Sequence, residues 1–299
     1  MIDLHTHSSV SDGSETPSRV VELAARAGCS ALALTDHDSL DGLEEAGRAA
    51  AALGVRLVLG CEVSCRKPPS PLDGAPLPGA VHVLVYFVAP GTEPLQAELH
   101  ALRGDRAARN RALAARLVEL GTGVRYEDAV AEAGDEGGVG RPHFARVLVK
   151  AGAAEDVDDA FDRWLADGRP AYVPKARLDP PEVARLAHRS GGVAVLAHPL
   201  STGLEPAVLE RLVAHMAEGG LDGVEAVYGS YTPDERARLR AMARRLGLAV
   251  TGGSGFHGSF KPTLSVGTGR GDLAVPDELL DALEARRPVA EPPGARAAT

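Results

Sequence analysis

Three short stretches of this sequence decide the fold: Asp3-Leu4-His5-Thr6-His7-Ser8, Ala33-Leu34-Thr35-Asp36-His37-Asp38 and Gly60-Cys61-Glu62-Val63-Ser64. In each stretch, a short apolar run of the buried-strand type stops at a histidine or a carboxylate. Helical patterns separate the three runs, and such alternation favours a parallel sheet or barrel. Because functional side chains of α/β barrels lie where the strands end, we expect these residues to share one rim.

The same pattern returns later in the chain. Strands are predicted at 193–197, 223–227 and 248–251, and the first and last of them precede His198 and His257. A further strand at 81–88 carries His82 near its start. Residues 93–175 lack strand signals and contain helical patterns at 95–120, 126–133, 143–151 and 158–166. The sequence therefore predicts one α/β barrel from residues 1–92 and 176–285, a helical insertion at 93–175, and a flexible tail at 286–299.

The composition limits the class of protein. A chain of 299 residues that is 44% hydrophobic can bury a sizeable core, and no apolar run approaches the roughly 18 residues of a membrane span. We expect no signal peptide, and an odd set of three cysteines indicates a reducing cytoplasm. A net charge of −9 argues against stable binding of duplex DNA. It leaves room for a nucleotide held in a pocket, because bound metal ions supply local positive charge.

The polar residues at the strand ends are typical metal ligands. Histidine and carboxylate side chains suit Zn, Mn and Fe(II). His5 and His7 alternate along a strand and can reach one ion, and the two oxygens of Glu62 can bridge two ions. A centre of two or three divalent ions clamps a phosphate and activates water near neutral pH, so the residues predict phosphoester hydrolysis.

These segments, together with Ser11-Asp12-Gly13 and Val81-His82, resemble the polymerase-and-histidinol-phosphatase (PHP) superfamily of metal-dependent phosphoesterases. Within the insertion, Gly140-Arg141-Pro142-His143-Phe144-Ala145 and Gly168-Arg169-Pro170-Ala171-Tyr172-Val173-Pro174 are similar to the branch of nucleoside 3',5'-bisphosphate phosphatases and 5'-to-3' oligoribonucleases. The resemblance implies a distorted (β/α)7 TIM-like barrel with a centre of Mn, Fe or Zn. It also implies a substrate that is a nucleoside 3',5'-bisphosphate or a short 5'-phosphorylated RNA.

Carried over by position, the resemblance implies metal ligands at eight residues: His5, His7, Asp12, His37, Glu62, His82, His198 and His257. It implies contacts with the substrate phosphate at Arg141 and His143, with Arg169 and Tyr172 as further candidates. His198 and His257 are in addition candidates for assisting the leaving oxygen. Arg177 and the arginine-rich face at 103–116 are expected to be solvated, with RNA contact by that face as the alternative.

One position departs from the family pattern. The family usually has Asp two residues before the last histidine, where this chain has Gly255. Three explanations are open. The glycine is natural, and water or another group takes the place of the carboxylate, or the glycine is an engineered or accidental change. In the third, the protein binds nucleotide or phosphate but its catalysis is impaired. An amidohydrolase would share the His-x-His motif but not the residues that follow it. Hydrolysis of histidinol phosphate is an alternative within the family that the insertion disfavours.

Overall fold

A computed structural model describes residues 1–72, 74–75, 77–134, 136–174 and 177–288. One sheet contains seven strands in chain order: β1 (Ile2–Thr6), β2 (Ala31–Leu34), β3 (Arg56–Ser64), β4 (His82–Tyr86), β5 (Val193–Leu196), β6 (Gly223–Tyr228) and β7 (Ala249–Gly253). The first strand also packs against the last, and Thr6 forms an isolated bridge with Phe256. The sheet is therefore a nearly closed barrel, which confirms the predicted fold.

Strand β4 runs against the direction of the other strands. It pairs antiparallel with both β3 and β5, whereas every other neighbouring pair in the sheet is parallel. The alternation of strands and helices predicted a parallel sheet or barrel, and β4 is the strand of the observed barrel that departs from parallel pairing. The physical reason is its connection: a proline-rich loop joins β3 to β4, and a loop allows an antiparallel return without a crossover helix. The start of β4 consequently lies at the rim where the parallel strands end.

The described residues form helices outside the barrel and between β4 and β5. The α-helices are α1 (Pro17–Ala27), α2 (Leu43–Leu53), α3 (Leu95–Glu119), α4 (Tyr126–Ala133), α5 (Arg141–Lys150), α6 (Val157–Ala160), α7 (Pro180–Arg189), α8 (Pro206–Glu218), α9 (Pro233–Arg245) and α10 (Glu278–Glu284). A π-helical turn at Phe161–Leu165 continues α6, where the sequence predicted one helix at 158–166. Among these residues, no helix has the length and apolar character needed to cross a membrane.

The described residues form three buried hydrophobic clusters. One fills the barrel and includes Leu4, Leu84 and Tyr86, and a larger one lies between the strands and the outer helices. The third belongs to the segment between β4 and β5 and includes Leu113 and Phe144. Most of this segment therefore packs around a hydrophobic cluster of its own, whereas Leu95, Leu99 and Leu102 at the start of α3 belong to the larger cluster. Residues 289–299 of the predicted flexible tail lie outside the described residues.

The start of α9 offers a test of local stability. Thr232 accepts a hydrogen bond from the backbone N–H of Glu235, whose carboxylate in turn accepts one from the backbone N–H of Thr232. We expect Thr232→Ala to lower the free energy of unfolding by about 1 kcal/mol, because the helix loses its N-cap. Denaturant unfolding measures this change. Glu205→Ala is the control, since Glu205 precedes α8 without a side-chain cap; equal losses in the two variants would contradict the assignment.

Candidate metal centre and adjoining arginine pocket

The ends of the strands bring the predicted ligands to one rim of the barrel. His5 lies in the last part of β1 and Glu62 in the last part of β3, while His198 and His257 follow β5 and β7. His82 is the first residue of β4 and reaches the same rim because that strand is antiparallel. The position of His82 near a strand start, which is unusual for a barrel, is thus explained by strand direction.

All eight predicted ligands fall into groups whose donor atoms lie within 4.8 Å of one another. There are three such groups among the described residues: His7, Asp12, His37 and His257; His5, Glu62 and His198; His37, Glu62 and His82. Two residues, His37 and Glu62, occur in more than one group, so the groups form a single connected cluster. The arrangement offers space for more than one cation at the same rim.

Glu62 is the centre of this cluster. It is buried, and its carboxylate lies close to five histidine nitrogens: Nδ1 of His82 at 2.8 Å, Nε2 of His198 at 2.8 Å, Nε2 of His7 at 3.0 Å, Nε2 of His5 at 3.2 Å and Nδ1 of His37 at 3.5 Å. Burial raises the pKa of the Glu62 carboxyl, but His37, His5 and His82 outweigh it and hold that pKa well below its usual value. The carboxylate is therefore ionised and available to a cation.

The donor set fits divalent metal ions. Nε2 of His5 lies 3.1 Å from Nε2 of His7, and two ligand atoms on one cation are separated by about 3 to 3.5 Å. Nδ1 of His37 is buried and has no hydrogen-bond partner in the described part of the chain. Burial lowers the pKa of His37 to about 3, so the ring is neutral at neutral pH and one of its nitrogens has a free lone pair. Neutral imidazoles and ionised carboxylates are the forms that bind Zn, Mn or Fe.

Glu225, on β6, is a functional candidate that the sequence analysis missed. It is fully buried, its Oε1 lies 2.8 Å from Nδ1 of His5, and its Oε2 accepts a hydrogen bond of 2.7 Å from the backbone N–H of His198. Burial lowers the pKa of His5, but the charges of Glu225 and Glu62 outweigh it and raise that pKa to about 10. The sequence does contain an indication of this role, because Glu225 is a carboxylate within the otherwise apolar run Gly223–Tyr228.

We expect Glu225→Gln to weaken metal binding about 10- to 100-fold. A carboxylate that accepts from a ligating histidine fixes the ring and makes it a better ligand, and the amide does this less well. Titration of the metal-free protein with Mn²⁺ measures the change. Glu218→Gln, on the exposed face of α8, is the matched control and leaves Mn²⁺ affinity unchanged. An unaltered affinity in Glu225→Gln would contradict the orienting role.

A second pocket, which we call the arginine pocket, adjoins this cluster. Its volume is about 210 Å³, and its lining includes four guanidinium groups: Arg106 and Arg109 on α3, Arg141 at the start of α5, and Arg177. Asp12, His37 and His82 line both this pocket and the larger cavity of about 1000 Å³ above the metal ligands. The two cavities are therefore continuous with the same set of candidate ligands.

The charges of the arginine pocket are poorly compensated. Arg106 pairs with Asp38, but Nε of Arg109 and Nε of Arg177 are buried without hydrogen-bond partners in the described residues. Burial, followed by the charges of Arg141 and Arg106, lowers the pKa of Arg109 to about 9. An arginine remains charged at neutral pH, so the pocket holds several cationic groups that an anion would stabilise.

The expectation that Arg177 and the face at 103–116 are solvated was wrong for three arginines. Arg106 and Arg109 are buried because α3 turns them inward on the same stripe as its leucines, and Arg177 lines the pocket beside them. Their spacing in the sequence indicates this burial, because residues three and four positions apart share one face of a helix. Arg106 and Arg109 lie at such positions between Leu102 and Leu113. Asp36 and Asp38 orient backbone and hydroxyl groups near the site, and Cys61 packs in the core.

The predicted substrate contacts separate into two sets. Arg141 and Tyr172 line the arginine pocket. His143 is buried at the start of α5, where its Nδ1 accepts a hydrogen bond of 3.0 Å from the backbone N–H of Gly140, and its ring contacts Phe260. Arg169 is exposed and lines neither cavity. The structure thus brings two of these four residues to the pocket and gives His143 a capping contact.

A nearly closed α/β barrel whose rim gathers six histidines and two carboxylates defines a metal-dependent hydrolase. The PHP domain family matches residues 3–120. The chain is 34% identical over 256 residues to the 3',5'-nucleoside bisphosphate phosphatase of Chromobacterium violaceum, covering 86% of this chain and 87% of that protein. It is 34% identical over 259 residues to the 5'-3' exoribonuclease Rnm of Escherichia coli strain K12, covering 85% and 84%.

Among solved structures, one described as a metal-dependent phosphoesterase of Bifidobacterium adolescentis matches with a TM-score of 0.80 at 30% identity, covering 96% of both chains. The chain therefore belongs to the PHP family and is a metal-dependent phosphoesterase. The family and branch predicted from the sequence are confirmed by these relatives.

Proposed function

We propose that this phosphoesterase hydrolyses a nucleotide that carries two phosphate groups, with a nucleoside 3',5'-bisphosphate as the best candidate. The observation that carries the proposal is the continuity of the metal-ligand cluster with the arginine pocket. Asp12, His37 and His82 line both cavities, so one phosphate at the cluster leaves a second phosphate within reach of Arg109 and Arg141. Two anionic groups on one small molecule match two adjacent cationic subsites.

The insertion acts in this proposal as the cover over the substrate. Arg106, Arg109, Arg141 and Tyr172 all come from residues 93–175 and face the rim of the barrel. Phe161 and Phe260 line the larger cavity and offer aromatic surfaces for a base. The net charge of −9 favours a small ligand over long nucleic acid and disfavours stable binding of duplex DNA or a membrane. The relatives named as a bisphosphate phosphatase and as a 5'-3' exoribonuclease support the same substrate class.

The eight clustered residues are proposed to hold two or three divalent ions, of Mn, Fe or Zn. Bound cations supply Lewis-acid activation of water and neutralise the developing charge on the phosphate. Glu62 would contribute a ligand atom to two of these groups, and Glu225 fixes the His5 ring. Arg109 and Arg141 position the substrate through the phosphate that is not cleaved.

His198 and His257 are proposed to bind cations rather than to transfer protons. Nδ1 of His257 donates to the carbonyl oxygen of Gly255 at 2.8 Å, which leaves the Nε2 lone pair directed at the cluster. Nδ1 of His198 contacts Ser201 Oγ at 2.8 Å, and its Nε2 faces Glu62. Because Oγ of Ser201 donates to the carbonyl oxygen of Ala80, it accepts from Nδ1 of His198, and the Nε2 lone pair of this ring is also directed at the site. Three free, buried cysteines support a reducing compartment, the cytoplasm, as the place of action.

The test is phosphate release from 3'-phosphoadenosine 5'-phosphate by protein loaded separately with Mn²⁺, Fe²⁺ or Zn²⁺. We expect release of one phosphate per substrate molecule, and slower release from adenosine 3'-phosphate, which lacks the group for the arginine pocket. A 5'-phosphorylated tri-ribonucleotide distinguishes the second candidate, because an exoribonuclease would produce mononucleotides from it. Equal turnover of substrates with one and with two phosphates would contradict the proposed use of the arginine pocket.

A further inference from the structure

The missing side chain at position 255 leaves space for Tyr228. Gly255 has a φ of +65°, and a Cβ on this residue would lie 2.3 Å from Tyr228 Oη. Within an aspartate, the carboxylate oxygens lie at about this distance from Cβ. The phenol oxygen of Tyr228 thus lies where an oxygen carried by a side chain at position 255 could lie. A side chain on residue 255 and the side chain of Tyr228 would therefore occupy the same space at the rim.

Tyr228 reaches this space from the end of β6. Its ring packs against the rings of His5 and His198, with centroid distances of 5.8 and 5.6 Å, and it lines the cavity above the metal ligands. Tyr228 is only 7% exposed, and the part of its surface that is not covered faces this cavity rather than a hydrogen-bonding group in the described part of the chain. Neighbouring Tyr231 differs, because its Oη accepts a hydrogen bond of 2.9 Å from the backbone N–H of Leu200. A buried phenol normally has a polar partner, so the cavity is where that partner belongs.

We propose that Tyr228 Oη is a ligand of the cation held by His5, Glu62 and His198, and that it replaces a ligand from position 255. This inference rests on the proposed metal centre. Among the described residues, two of the groups offer three donor atoms each, and the Tyr228 ring packs against His5 and His198 of one of them. A fourth oxygen donor completes the minimum set that such ions take in proteins. On coordination the phenolic proton leaves to solvent, as it does for other protonated ligands.

Glycine at position 255 makes room for the Tyr228 ring. A residue with a side chain at this position would collide with the Tyr228 ring, whose Cε2 and Cζ lie 2.5 and 2.6 Å from the Cβ position. Glycine also adopts the positive φ without strain. The substitution that suggested an impaired centre is then part of an alternative ligand arrangement, in which β6 rather than the loop after β7 supplies the oxygen.

The first experiment counts metal ions in Tyr228→Phe. Purified protein is stripped with a chelator, reloaded with Mn²⁺ and examined by elemental analysis and binding titration. We expect this variant to lose one equivalent of Mn²⁺ or to bind it about 10- to 100-fold more weakly at one site. Tyr231→Phe is the matched control and keeps the full count, because it removes a neighbouring hydroxyl that already has a backbone partner.

Folding is checked by circular dichroism and thermal unfolding, and phenylalanine preserves the ring. A folded Tyr228→Phe protein with wild-type metal count and affinity would overturn the inference. A wild-type protein that binds no Mn²⁺, Fe²⁺ or Zn²⁺ would instead overturn the proposed metal centre, so the two failures are distinguishable.

The second experiment exchanges the ligand between the two positions. Tyr228→Ala should lose the same equivalent, and adding Gly255→Asp to it should restore that equivalent, because aspartate tolerates a positive φ better than most residues. Gly255→Asp alone should hold no more metal than the wild type. A gain of one equivalent in that single variant would show that the wild-type centre lacks a ligand and would contradict the role of Tyr228.

Discussion

Replacement of Glu62 by alanine is expected to abolish phosphate release and to remove most of the bound metal. The carboxylate lies within 3.5 Å of nitrogens from five histidines, so its loss removes a negative charge beside five of the candidate ligands. Removing an outer partner of a ligand already costs 10- to 100-fold. Loss of the central carboxylate should therefore reduce turnover by more than about 100-fold.

Metal counting and phosphate release, measured on the same preparation, check this prediction. Glu62→Gln keeps the shape of the side chain and separates loss of charge from loss of packing. Glu210→Ala is the control, because Glu210 forms an exposed ion pair with Arg245 far from the rim. A Glu62→Ala protein that retains its full complement of metal would show that the carboxylate is not a ligand.

Arg109→Met is expected to have opposite effects on substrate binding and on stability. Arg109 is buried beside Arg106 and Arg141, and its Nε has no partner in the described residues. Methionine fills the space without charge, so the ligand-free protein should unfold at a higher temperature. A hydrogen bond to a charged group contributes about 1.5 to 3 kcal/mol, so KM for a nucleoside bisphosphate should rise about 10- to 100-fold.

Thermal unfolding with and without inorganic phosphate separates these effects. Phosphate should raise the melting temperature of the wild type more than that of Arg109→Met, because an anion that binds the folded state stabilises it. Arg111→Met is the matched control on the same helix, where Arg111 is exposed and paired with Glu136. Equal stabilisation of Arg109→Met and the wild type by phosphate would contradict the assignment of the arginine pocket.

Much of the fold and of the metal centre was predictable from local sequence. Apolar runs that stop at His5, His37 and Glu62 combine a strand signal with ligand chemistry, and both depend on residues close together in the chain. The helix predicted at 126–133 has the observed bounds Tyr126–Ala133. The PHP family followed from the order of these motifs, and the relatives confirm it.

The arginine pocket was not predictable from the charges alone. A guanidinium on a helix is usually solvated, and only the packing of α3 against the barrel decides which arginines turn inward. Charge alone therefore predicts Arg106 and Arg109 to be surface residues, although they share the helix face of Leu102 and Leu113. The burial of Arg177 depends likewise on its neighbours in space.

The sequence by itself determined the barrel, the residue types at its rim and the departure at position 255. Only the tertiary structure decided the direction of β4, the pairing of His5 with Glu225, and the approach of Tyr228 to Gly255. Those features join residues far apart in the chain, such as positions 5 and 225. Sequence patterns report the local preference of each segment, whereas the closing of the barrel determines which segments meet and which charges are buried together.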